Sequence, residues 1–166
     1  MKIAGYLHDI GKLIVPPTIL NKTGKLNEQE WNIMKTHTYY TYQALSTSKK
    51  LFEIREWASY HHEKLNGQGY PFHLNKNDLS LGARIMAVAD VFTAVTEDRP
   101  YRKGMSYFKV KKILEKMAKE EEIDENITNI IIKNYAEFNE IRKNSQNKAK
   151  KYFEQFNSKI KKPPKI

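Results

Sequence analysis

Cysteine is absent from all 166 residues, which excludes disulfides and any thiolate-bound metal. A metal would have to be held by imidazole and carboxylate, a donor set that suits iron, manganese or zinc. No run of about 18 apolar residues occurs, so no membrane-spanning helix is expected. The N-terminus is too short and too interrupted by polar residues to read as a signal peptide, and a cytoplasmic location is the expectation. Valine and isoleucine form no alternating runs between turn pairs, so strands are not expected either. Negative charge is nearly missing from one end. From Ile141 onward nine Lys and Arg residues face Glu154 alone, a surplus of eight out of a net charge of +10. The basicity therefore belongs to a tail. Such a tail can meet nucleic acid or an anionic membrane surface, and the plainer reading is a solvated helix.

What remains is the length of one domain with a real core, and it reads as all-α. Met1–Leu13 looks like the last turns of a helix that Val15-Pro16-Pro17 ends. Asn27 and Glu30 form a capping-box pair, which predicts a helix to about Leu45. Further helices are predicted at Leu51–Lys64, Leu81–Glu97, from Ser106 to about Lys119, and from Asp124. Asn66–Asn77, rich in Gly, Pro and Asn, is predicted as loop. Beyond Phe138 a Lys- and Asn-rich, partly ordered helix is expected, with Tyr152, Phe153 and Phe156 as its anchors.

Chemistry concentrates in a few residues. His61 and His62 stand side by side just before a glycine-punctuated loop, in a chain with five histidines. His8-Asp9 lies between apolar Leu7 and Ile10; taken alone, it reads rather as an exposed polar pair near a helix end. Asp90 sits in a helix apolar on nearly every side, and such a helix is normally buried. Its carboxylate then needs a cation or several donors; a salt bridge to Arg84 or Arg99 is the alternative. Thr93 and Glu97 follow Asp90 at helical spacing. With His37 as a further imidazole, these residues point to a metal cluster. Metals there would activate water and neutralise a phosphodiester. Lys12, one turn after Asp9, could reach a phosphate oxygen or protonate a leaving group; otherwise it is a solvated helix end. Gly67 and Gly69 allow a backbone close to phosphate, and Tyr70 a stacking face. Arg99 and Arg102 are candidate phosphate forks, or surface ion pairs. His73 reads as a surface residue.

In order, these pieces resemble the HD-GYP family, HD-domain phosphohydrolases that cleave cyclic di-GMP. The matching stretches are His8-Asp9-Ile10-Gly11-Lys12, Ile19-Leu20-Asn21-Lys22 with Gly24-Lys25-Leu26, His37, and His61-His62-Glu63. They continue through Asn66-Gly67-Gln68-Gly69-Tyr70-Pro71, Val88-Ala89-Asp90-Val91-Phe92 and Arg99-Pro100-Tyr101-Arg102. The resemblance spans residues 1–138, leaving 139–166 as a basic extension. It implies an HD-domain-like helical bundle holding two divalent ions, usually iron or manganese, with a third in some members. By that resemblance His8, Asp9, His37, His61, His62 and Asp90 are the metal ligands. Asp9 bridges two ions, and Lys12 and Asp9 are catalytic. Gly69, Tyr70, Pro71, Arg99 and Arg102 contact cyclic di-GMP, which is cut to linear pGpG or GMP.

Three departures stand out. The family places a further His, and in some members a Glu, on helices upstream of His8, whereas only seven residues precede His8 here. Thr93 replaces a usual Asp, and Thr41 a usual Gly. The chain is thus expected to be either a fragment of a longer signalling protein, behind a sensory or receiver domain, or an inactive ligand-binding or protein-interaction module. In the first case exposed apolar surface predicts a homodimer. An HD hydrolase acting on another nucleotide is a third reading. No specific nucleic-acid partner is expected.

Overall fold

The computed structural model describes residues 1–98 and 103–160, and among them it is helical without a strand. Two compact units are present, Met1–Asn129 and Ile130–Ile166. In the first unit α1 (Lys2–Leu7) leads into a 3-10 helix (Ile10–Ile14) and a short α2 (Pro17–Leu20). Then come α3 (Glu28–Leu45), a 3-10 turn (Lys49–Leu51), α4 (Phe52–Ser59), α5 (Leu81–Thr96) and α6 (Tyr107–Lys119). Helix α7 (Glu125–Lys133) follows, and α8 (Tyr135–Ile160) lies in the second unit.

The start of α3 is set locally. Asn27 Oδ1 accepts from the Glu30 amide at 2.8 Å, and Glu30 Oε2 accepts from the Asn27 amide at 2.8 Å. Each side chain satisfies an amide that the helix's own ladder leaves unpaired. Asp124 similarly accepts from the Ile127 amide at the start of α7. The core of the first unit gathers Ala4, Leu45, Ala58 and Met86, with Leu7, Leu51, Ile54 and Trp57 packed on them. Gly82 lies under the Trp57 indole, where a Cβ would meet Nε1 at 2.1 Å.

The tightest approach positions the site. Gly11 packs flat on α3: a Cβ there would lie 1.9 Å from the His37 carbonyl oxygen. Thr41 completes the seam, its hydroxyl accepting from the Gly11 amide at 3.1 Å and donating to the His8 carbonyl at 3.0 Å. Thr41 is thus a buried clamp between the segment bearing His8 and α3.

Three expected elements differ. The first helix breaks after Leu7 and resumes as 3-10 structure, so His8 and Asp9 lie at the break. The helix expected through Lys64 stops at Ser59, which frees both histidines from helical geometry. In the second unit α8 runs unbroken to Ile160, and Tyr152, Phe153 and Phe156, expected as its anchors, are exposed along it.

Candidate metal centre

Four imidazoles and two carboxylates converge at the break after α1, the middle of α3, the turn after α4 and the middle of α5. His37 Nε2 lies 3.5 Å from Asp9 Oδ1, and His61 Nε2 lies 4.0 Å from the same oxygen. The other Asp9 oxygen, Oδ2, is 3.4 Å from His8 Nε2 and 2.6 Å from Lys12 Nζ. Asp90 spans a second pair, Oδ1 at 3.9 Å from His8 Nε2 and Oδ2 at 3.9 Å from His62 Nδ1. Ligand atoms of His37, His61 and His62 lie within 4.8 Å of one another, as do those of His8, Asp9 and His61. Donors about 2.1 Å from a common ion stand roughly 3.0 to 4.2 Å apart, so both groups are close to ligating distance.

One device orients three of the rings. Nδ1 of His8, His37 and His61 lies 2.8, 2.7 and 2.7 Å from the carbonyl three residues earlier, at Gly5, Met34 and Ala58. An Nδ1–H donating there leaves Nε2 as a lone pair aimed into the cluster, the tautomer that metal ligation uses. Burial keeps His37, His61 and His62 neutral. It drives His61 well below the ordinary imidazole range, helped by His62 and His8, and takes His62 down to about 3. It also lowers His37, outweighing the hydrogen bond to Met34 and the attraction of Asp9. For Asp9 burial pushes upward, but the Lys12 hydrogen bond and the Lys12 charge hold its carboxyl below the usual value. The buried atoms Asp9 Oδ1, His37 Nε2 and His61 Nε2 have no hydrogen-bond partner. Two neutral lone pairs facing a carboxylate oxygen repel it unless a cation lies between them, so this donor set fits a metal ion.

A cavity of about 550 Å³ opens on the cluster, lined by His8, Asp9, Lys12, His62, Asp90 and Thr93 among others. Thr93 and Glu97 join Asp90 on its wall, as their helical spacing predicts. Asp90 is only partly buried, because α5 turns that side to the cavity while Val88 and Phe92 face the core. Arg84 does not neutralise it: its guanidinium binds Asp124 at 2.9 Å. The Tyr70 ring stacks beside His62, with centroids 4.9 Å apart and planes tilted by 36°, and the Tyr70-Pro71 bond is cis. Gly67 takes a positive φ of 76°, whereas Gly69 is needed for space: a Cβ there would meet the Lys64 nitrogen at 2.3 Å. His73 is exposed, as expected. Arg99 and Arg102 lie outside the described residues.

Sequence reasoning assigned Glu63 no role. It is buried, and its carboxylate accepts from the Phe72 amide at 2.7 Å and the Leu74 amide at 3.0 Å. It thereby ties the Tyr70-Pro71 loop to the segment bearing His61 and His62. The signal was an acidic residue directly after the two histidines.

The neutral imidazoles predict a pH response of the metal-free chain. Unfolded histidine binds a proton below about 6.5, whereas folded His61 and His62 do not. Below that pH the unfolded state holds more protons, so stability falls as pH drops from 6.5 toward the folded values. Glu63 opposes this near its own range, since burial raises its carboxyl, but it is one group against the lowered imidazoles. The thermal midpoint of chelator-treated protein is expected to drop between pH 7 and pH 5. An unchanged midpoint would contradict the neutral cluster.

A helical bundle gathering imidazoles and aspartates at a solvent-reachable cavity defines the class of His/Asp metal-site proteins. The chain belongs to the HD domain family, whose model matches residues 1–127. It is 38% identical over 136 residues to a 3'3'-cGAMP-specific phosphodiesterase of Vibrio cholerae, covering 82% of this chain and 32% of that protein. A cyclic di-GMP phosphodiesterase of Pseudomonas aeruginosa is 44% identical over 103 residues, 61% of this chain and 25% of the relative. A cyclic di-GMP phosphodiesterase response regulator of Xanthomonas campestris is 44% identical over 107 residues, 63% and 28% of the two chains. These names accord with the HD-GYP group. The chain spans about a third or less of the length of these relatives.

Proposed function

We propose that this chain is the catalytic domain of a metal-dependent cyclic dinucleotide phosphodiesterase, with cyclic di-GMP as substrate and pGpG or GMP as product. The observation carrying this reading is the set of buried, unpartnered acceptor atoms on Asp9, His37 and His61, converging from three segments. His8, Asp9, His37, His61, His62 and Asp90 would hold two divalent ions, iron or manganese. When bound, such ions activate water and neutralise charge on a phosphodiester. Asp9 faces His37 and His61 with one oxygen and His8 with the other, which suits a bridging position. Lys12 lines the cavity with its ammonium held on Asp9, from where it can turn to a phosphate oxygen or a leaving alkoxide. Gly69, Tyr70 and Pro71 form the loop beside His62, where Tyr70 offers a stacking face. Arg99 and Arg102 would supply phosphate forks. The chain would work in bacterial signalling, behind a sensory or receiver domain in a longer protein.

The test is elemental analysis after anaerobic loading with Fe(II) or Mn(II), paired with turnover of cyclic di-GMP and 3'3'-cGAMP. Two ions per chain with cleavage of cyclic di-GMP is the expected result. Metal binding without cleavage of either dinucleotide would favour the inactive binding module, and cleavage of 3'3'-cGAMP alone would overturn the substrate assignment.

A further inference from the structure

The second unit carries a surface that the proposed chemistry does not use. Helix α8 spans 26 residues and buries none of them. At 100° per residue, Phe138, Ile141, Ala149, Tyr152, Phe153, Phe156 and Ile160 fall within an arc of roughly 120°. The C-terminal part of this arc is open: Tyr152 is 73% exposed, Phe153 65%, Phe156 60% and Ile160 66%. Lys148 and Lys159 border the arc on one side, Lys143 and Lys150 on the other, and Lys151 lies opposite. From Ile141 to Ile160 six basic residues face Glu154 alone.

We propose that α8 is an interfacial helix that lies along an anionic lipid surface. Its aromatic face would enter the headgroup boundary, and the flanking lysines would meet lipid phosphates. Aromatic residues on one face and lysines along its borders are what such binding requires, since long lysine stems let ammonium groups reach the headgroups while the rings are buried. No helix among the described residues is long and apolar enough to cross a membrane, so α8 would lie on the surface. A second copy is a poorer occupant. The seam at alternating four- and three-residue steps reads Phe138, Arg142, Ser145, Ala149, Tyr152, Phe156, and a zipper needs branched apolar residues there. Nucleic acid would use the lysines and leave much of the aromatic face in water. This inference stands apart from the proposed catalysis.

The test is co-sedimentation of the whole chain with vesicles of phosphatidylcholine alone, or of phosphatidylcholine mixed with phosphatidylglycerol. Binding is expected to the mixed vesicles only, and to weaken in high salt. Replacing Phe153 and Phe156 together by Ser should lower the partition coefficient about tenfold or more. Replacing Lys148, Lys150 and Lys159 by Gln should lower it roughly a hundredfold at low salt. All five positions are exposed, so the thermal midpoint should stay unchanged. Should the Phe variant unfold, Ile160→Ser reads the same face and the Lys variant reads the charge. Absence of vesicle binding, equal binding to both vesicle types, or indifference to the Phe substitutions would overturn the proposal. So would capture of an oligonucleotide or acidic peptide without vesicle binding.

Discussion

Asp9→Asn is expected to leave the chain folded, to remove bound metal and to lower turnover of a cyclic dinucleotide by at least about a thousandfold. The substitution keeps the shape of the side chain and removes its charge. It also turns one of two oxygens into an amide nitrogen, which has no lone pair to offer a cation. The two oxygens are not equivalent here. Oδ1 faces His37 and His61, while Oδ2 faces His8 and Lys12. Whichever oxygen is lost, one side of the cluster loses its carboxylate, and a pair of ions held as proposed would lose the side chain that joins them. Stability should change little, because the side chain is partly exposed and its strongest partner, Lys12, can return to water. Elemental analysis, a melting curve and a turnover assay on one preparation separate these effects. Retention of two ions per chain in the variant would remove Asp9 from the bridging position. Loss of the fold would show that its role is structural.

The parts of this architecture legible in the sequence are those decided locally. The Asn27–Glu30 box fixes the start of α3, because the groups that satisfy each other lie three residues apart. The histidines and aspartates could be nominated because five imidazoles in a cysteine-free chain leave few other donor sets. Their convergence was not legible in spacing. It depends on α4 ending at Ser59, after which His61 and His62 come to a centroid separation of 4.1 Å. The orientation of the rings was hidden for a similar reason, since backbone carbonyls at Gly5, Met34 and Ala58 carry no signature of their own. Gly69 shows how a correct residue can carry an incorrect reason. The sequence suggested freedom of backbone angle, but the structure requires the absence of a side chain against Glu63 and Lys64. Asp90 misled in the other direction. An apolar helix implied burial on all sides, yet α5 forms a cavity wall at that position. Thr41 read only as a departure from a usual Gly, and its packing role was hidden because its partners, Gly11 and His8, are 30 or more residues away.

That seam carries the second large effect. Gly11→Ala is expected to destabilise the protein by about 3 kcal/mol or more, with a fall in thermal midpoint of roughly 10 °C, and to abolish metal binding. The new methyl carbon would lie 1.9 Å from the His37 carbonyl oxygen and 2.7 Å from the Thr41 nitrogen. Both are backbone atoms of a helix, so neither can rotate away as a side-chain tip would. Relief requires the 3-10 helix to lift from α3. That movement breaks the two hydrogen bonds through the Thr41 hydroxyl and carries His8, Asp9 and Lys12 away from His37. Stability and metal affinity should therefore fall together, although the substituted residue is not itself a ligand. Gly5→Ala supplies the contrast. It lies in α1 with nothing within 4 Å of its added Cβ, so alanine there should leave stability unchanged or raise it by about 0.5–1 kcal/mol. If Gly11→Ala melted like the parent and still bound two ions, close contact between the two helices would not be what assembles the metal centre. If it melted early yet bound metal in full, the cluster would have to form independently of the seam, contrary to the shared descent of His8, Asp9 and Lys12 from one segment clamped by Thr41.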